Sequence, residues 1–146
     1  MIYIGNIRDV HPGEFDETHA IVRSYKGQSD WIIHTPELSP SWDLFSKFQE
    51  LKKAGNWNQD AFVKIYTPQF LTEMQSEQAE KKLNELYYKD RDGKRIALVC
   101  FCPNEDMCHR SIIAGMLQGA GANVSLKTPV DRSYYYDLYR YYRAMR

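Results

Sequence analysis

The sequence predicts an α/β domain with an at least partly parallel sheet, and three observations predict it. Residues 95–102 carry a continuous apolar run, Ile96-Ala97-Leu98-Val99-Cys100-Phe101, as a central strand covered on both faces does. Helical periodicity resumes soon after, over 108–117, through Ile112, Ile113, Met116 and Leu117. A short apolar stretch at 123–126 then completes a β-α-β unit, whose crossover is right-handed.

The other elements follow in chain order. Residues 2–7 are short, β-branched and aromatic, and they run into Arg8-Asp9 and His11-Pro12-Gly13, which reads as a first strand ending in a polar loop. Trp31-Ile32-Ile33-His34 is a second short strand, stopped by Pro36 and Pro40. From 41 to 54, Trp42, Phe45, Phe48 and Leu51 recur at three-residue intervals among lysines and Glu50. That spacing predicts an amphipathic helix, with Ser39 or Ser41 placed to cap it. Gly55-Asn56 ends it, and Phe62, Ile65, Tyr66 and Phe70 predict a helix over 58–70 that Pro68 must kink or divide. A third helix over 76–88 opens on Ser76 with Glu77 and Glu80 in its first turn, and Asp92-Gly93 lies beyond its end. The region 130–146 holds the run SYYYDLYRYYRAMR. It is expected to be a terminal helix with tyrosines packed inward and arginines in water; a base-stacking surface or a contact in a homodimer is the sharper alternative.

Composition narrows the function classes. A chain of 146 residues supports one core, so 1–146 is read as a single domain. Its 43% apolar and 26% charged content suits an ordinary globular protein. The formal net charge is zero, which excludes the global basic field that holds nucleic acid by counterion release. Any anion site must be local. No apolar run approaches the roughly 20 residues of a membrane span, and the amino-terminal segment MIYIGNIRDV lacks the features of a signal peptide. A cytoplasmic location without membrane partners is expected. The three cysteines crowd into the window from Cys100 to Cys108, a poor disulfide framework, so reduced thiols are expected.

Chemistry concentrates at that window. Ligands of parallel sheets bind beyond the carboxyl ends of strands, where the next helix offers unpaired N–H groups and partial positive charge. Cys102, Cys108, His109 and Arg110 occupy that place. A thiol at a helix N-terminus beside His and Arg has its anion stabilised, which makes Cys108 the first candidate for a lowered pKa and Cys102 the second. Arg110 supplies a planar fork of donors for phosphate or carboxylate, and His109 a proton carrier near neutral pH. Cys100, inside the apolar run, reads as a small buried hydrophobe. His11, His19 and His34 lack local partners. The spacing of the cysteines and His109 does not make a zinc knuckle, so neither metal nor cofactor is expected. The loop resembles that of cysteine phosphatases and sulfurtransferases, but Cys108 stands where a phosphatase-type loop places Arg.

The segment ALVCFCPNEDMCHRSIIAGML resembles the signature of the bacterial and phage family known as domain of unknown function 488: an apolar strand, a short acidic turn, then Cys108-His109-Arg110 and an apolar helix. Leu38-Ser39-Pro40-Ser41 and the run to Tyr66 are similar to the family's phage-type branch, so the likeness spans about 38–124. Pro103 departs from the family's acidic residue after the strand. The resemblance implies a three-layer α/β/α fold with a small sheet and a pocket at the Cys-His-Arg turn.

Two classes of function follow as expectations. The first is binding of a small anionic, nucleotide-derived ligand by Arg110 and the helix turn, with Asn6 and Arg8 after the first strand and Ser39 and Ser41 after the second as neighbours. Sequestration of a nucleotide signal is one form of it. The second is an enzyme in which Cys108 or Cys102 is the nucleophile, His109 its acid or base, and Arg110 orients a phosphorylated or nucleotide-like substrate.

Overall fold

The computed structural model describes residues 1–27 and 29–145; Arg146, last residue of the tyrosine-rich tail, lies outside the described residues. Five strands form one sheet: β1 (Ile2–Asn6), β2 (Glu17–Ala20), β3 (Ile32–His34), β4 (Ile96–Cys100) and β5 (Val124–Leu126), in the order β3-β2-β4-β1-β5. All four pairings are parallel. Every strand therefore delivers its carboxyl end to the same edge. β4 lies mid-sheet, fully buried along its length, and its register on β1 sets Asn6 opposite Cys100.

The strand β2 has no apolar run to announce it. Its Thr18 and His19 are buried, beside a half-buried Glu17, because partners satisfy the polar atoms: His19 Nδ1 meets Thr35 Oγ1 at 2.7 Å, and His19 Nε2 meets Glu17 Oε1 at 2.8 Å. Lys89 then donates to Glu17 at 2.8 Å. A buried polar group with its bonds made carries little penalty.

The helices are α1 (Trp42–Lys53), α2 (Gln59–Ala61), α3 (Thr67–Glu73), α4 (Glu77–Arg91), α5 (His109–Gly119) and α6 (Tyr134–Ala144). Ser41 is the cap of α1, accepting from Leu44 N at 3.1 Å. Ser76 caps α4 in the same way through Ala79 N. Between α2 and α3 the chain widens into a π-helical segment, Phe62–Tyr66. Pro68 follows at the start of α3; it has no N–H to return to the preceding turn and its ring crowds that turn, and the widened segment absorbs both effects. α4 runs three residues beyond the expected end, to Arg91, and Gly93 reverses the chain at φ 83°.

Side chains alternate across β1 and β4 and so divide the core. Ile2, Ile4, Ile96, Leu98 and Cys100 join one large cluster with Leu44, Phe62, Phe70, Leu86, Ile112 and Tyr139, which brings in α1 and α3 to α6. Ala97 and Val99 face the other way, into a small cluster with Val10, Tyr3, Ile7, Phe15 and Trp31. The layers are thus unequal. Where the family resemblance implied helices on both faces, the second face is covered by the 7–16 segment with its single 3-10 turn, Ile7–Asp9.

The tyrosine-rich tail forms α6, packed along α5. Tyr135 and Tyr139 are buried, Tyr134 and Tyr141 are exposed, and Arg143 pairs with Glu80. The close approach depends on Gly115: a Cβ there would overlap the Arg132 carbonyl oxygen and the Tyr135 ring. Gly115→Ala should therefore lower stability by about 1–3 kcal/mol, the usual cost of overpacking. Urea unfolding measures this, and an unchanged midpoint would show that α6 can move outward freely.

Candidate functional site

Alternation along β4 turns Cys100 to the large-core face and leaves Phe101 53% exposed. Cys102 follows as a half-buried residue at the start of the turn. Its carbonyl accepts from Arg110 Nη1 at 2.8 Å and from Asn6 Nδ2 at 3.3 Å. Arg8 Nε in turn donates to Asn6 Oδ1 at 3.3 Å. The far side of the turn is held by Asp106, paired with Arg132 Nη2 at 2.6 Å. Both ends of the loop are therefore anchored to other elements.

Cys108 is the N-cap residue of α5, but its side chain makes no capping bond. Its sulfur points inward, 3.4 Å from Cys100 Sγ and 3.5 Å from His109 Nδ1. The other imidazole nitrogen, His109 Nε2, lies 2.7 Å from the Ile21 carbonyl. A carbonyl only accepts, so Nε2 carries a hydrogen and Nδ1 faces the thiol. The Phe70 ring packs edge-on against the imidazole at 5.7 Å.

Arg110 is only 5% exposed. Its Nη1 donates to Cys100 Sγ at 3.3 Å as well as to the Cys102 carbonyl, and among the described residues no carboxylate lies within ion-pair distance of it. A buried guanidinium demands a counter-ion. Among the described residues, the acidic group it touches is the Cys100 thiol.

The thiols differ accordingly. Hydrogen bonding from Cys108, with the charge of Arg110, takes Cys100 down to about 5 against the opposing effect of burial. Hydrogen bonding from Cys108, aided by Arg110, brings Cys102 down to about 7 although burial again opposes it. Cys108 goes the other way: burial, and the two neighbouring thiols that need its proton, push it well up. Its sulfur contacts Cys100, while the Cys102 thiol turns to the Asn104 carbonyl at 3.6 Å. The expectation of a lowered pKa at Cys108 is therefore corrected, because inward burial outweighs the helix-terminus effect there. Cys100 is buried as expected, but it is the thiol best supported as an anion. Cys100 and Cys102 stand two apart on the chain, which is the sequence signal for a shared face.

These sulfurs floor a cavity of about 530 Å³ lined by Cys100, Cys102, Cys108 and His109 below and by Trp42, Phe45, Phe48, Tyr66 and Phe101 around it. Lys52 and Arg23 also line it, and no carboxylate does. Burial pushes the Tyr66 phenol well above its ordinary range, so it stays neutral. The aromatic wall comes mostly from the apolar face of the amphipathic α1; Trp42 on it is 59% exposed and lines the cavity.

The other expected site residues fall outside the lining. Asn6 and Arg8 brace the Cys102 carbonyl from behind. Ser39 Oγ donates to the Pro36 carbonyl at 2.7 Å, while Ser41 caps α1 and donates to Glu73. Arg110 holds the thiols from below rather than opening into the cavity. Among the described residues no group of His, Cys, Asp and Glu is arranged to hold a metal ion.

A pH titration followed by thiolate ultraviolet absorbance tests this arrangement. The thiols should begin to ionise well below the ordinary thiol range, near pH 5, with Cys108 keeping its proton until well above that range. Arg110→Gln should move that onset upward, since the charge that favours the anion is gone. A single transition of all three at the ordinary value would contradict the arrangement.

No curated protein and no solved structure matches the chain. A family model described as the active DUF488-N3 subclade matches residues 12–121. That stretch covers most of the chain, from the loop after β1 through the turn after α5, and it contains all three thiols, His109, Arg110 and the aromatic wall. The chain accordingly belongs to the DUF488 family, within its DUF488-N3 group.

Proposed function

We propose that the protein is a cysteine-dependent enzyme in which the Cys102 thiolate attacks an electrophilic atom of a small, nucleotide-like molecule. The observation that carries this reading is a half-buried thiol, held at about 7, at the floor of an aromatic cavity. A thiol poised near ambient pH combines a large anionic fraction with strong nucleophilicity. Arg110 and Cys108 support the anion from below, and His109 Nδ1 can exchange a proton with Cys108 across 3.5 Å.

The lining selects the substrate class. The faces of Trp42, Phe45 and Phe101 suit a planar ring, for which aromatic stacking contributes about 1–3 kcal/mol per base. Lys52 and Arg23, with no carboxylate beside them in the lining, suit an anionic group on the same molecule. Arg23 is steadied for this by its bonds to the Pro40 and Ser39 carbonyls at 3.0 and 3.2 Å. The description of the matching family model as an active subclade supports chemistry over binding alone.

Iodoacetamide labelling across pH is the direct test. Cys102 should react first, with an apparent pKa of about 7, and nucleotides that fill the cavity should slow it. Cys102→Ser should abolish turnover while nucleotides still raise the melting temperature. Trp42→Ala, at an exposed position, should weaken nucleotide binding by about 1–3 kcal/mol with little change in stability. An ordinary pKa at Cys102, or nucleotides held tightly by wild type without adduct or turnover, would remove the enzyme reading and leave sequestration.

A further inference from the structure

The proposed reaction uses Cys102 and leaves a second reactive pair beneath it. We propose that Cys100 and Cys108 are an oxidisable dithiol that a small hydroperoxide converts to a disulfide, reversibly, under the floor of the cavity.

Three observations carry this. The two sulfurs are in contact at 3.4 Å without being bonded, so closing to the roughly 2.05 Å of a disulfide is a short movement. Arg110 Nη1 sits 3.3 Å from Cys100 Sγ and, among the described residues, has no carboxylate to pair with, which makes the buried sulfur the anion of the pair and gives it a fixed cation beside it. Access is limited by size: Cys100 is 2% exposed yet lines the cavity floor. A two-oxygen oxidant can reach such an atom more easily than a bulky alkylating reagent.

The chemistry balances as follows. The Cys100 thiolate attacks one oxygen of the hydroperoxide; an S–O bond forms, the O–O bond breaks, and the departing alkoxide or hydroxide takes a proton from water. Cys100 is now a sulfenic acid, oxidised by two electrons, and the peroxide is reduced to alcohol or water. The Cys108 sulfur then attacks Cys100 Sγ, the S–S bond forms, the S–O bond breaks, and hydroxide leaves with the Cys108 proton as water. Two equivalents of a small thiol restore the dithiol by exchange. His109 Nδ1, 3.5 Å from Cys108, is placed to take that proton and pass it to the departing hydroxide.

The experiment treats the full chain with a small excess of hydrogen peroxide, blocks remaining thiols, and maps the products by mass spectrometry after cleavage at Glu105, which separates Cys108 from Cys100 and Cys102. A loss of two hydrogens is expected, with one bridge that fragmentation at Phe101 assigns to Cys100 and Cys108, and dithiothreitol should reverse it. Cys102→Ser should form the same bridge at a similar rate, while Arg110→Gln should slow it several-fold at mildly acid pH. Cys102→Ser also separates this proposal from the enzyme reading, because it removes the nucleophile and keeps the dithiol. A bridge from Cys102 to Cys108, loss of the bridge in Cys102→Ser, or oxidation only to sulfinic acid would each overturn the proposal. If Cys100→Ser and Cys108→Ser fold poorly, the mapping in wild type and in Cys102→Ser decides alone.

Discussion

A positive charge buried without a carboxylate organises this molecule. Arg110 enters the interior in the first turn of α5 and meets a sulfur and a carbonyl. Burial of a lone guanidinium is costly enough that something nearby must become anionic or the residue must move out. The neighbour that answers it is the Cys100 sulfur, 3.3 Å from the guanidinium and 3.4 Å from Cys108, an acid whose pKa these contacts lower. Once that pair is set, the direction of Arg110 is set, and with it the carbonyl of Cys102 and the path of the turn.

The parallel sheet makes that arrangement possible. Cys100 is delivered by β4, Asn6 by β1, and the carbonyl of Ile21 by the exit from β2, all at one edge because no strand runs the other way. α5 then has to start over that edge, with its first residues among the strand ends. An aromatic stripe on α1 walls the space that remains, so the cleft combines sulfur at the floor, rings at the sides and cations nearby.

Much of this was legible in the sequence, for physical reasons that differ from residue to residue. The central strand was visible because burial on both faces demands an unbroken apolar run, and the capped helices were visible because Ser41 and Ser76 each precede an amphipathic pattern. The strand at Glu17–Ala20 was not, since its polar side chains are satisfied by Thr35 and Lys89, residues distant in the chain. The Cys-His-Arg turn was placed correctly at a strand-to-helix junction. The roles within it were harder to assign, because they depend on which way each sulfur points: Cys108 at a helix start looks activated until its side chain is seen to turn inward. Trp42 and Phe45 carried a related ambiguity, as helical spacing alone does not distinguish a core stripe from a cleft wall.

The imidazole of His109 joins two things that are usually separate. One nitrogen is tied to the main chain at Ile21 and the other touches the Cys108 thiol. Val22, Arg23 and Ser24, which follow immediately, form part of the cleft wall. A ring used as a rivet in this way makes the shape of the binding surface and the proton inventory of the sulfurs properties of one tautomer, so that neither can be retuned by evolution without answering to the other.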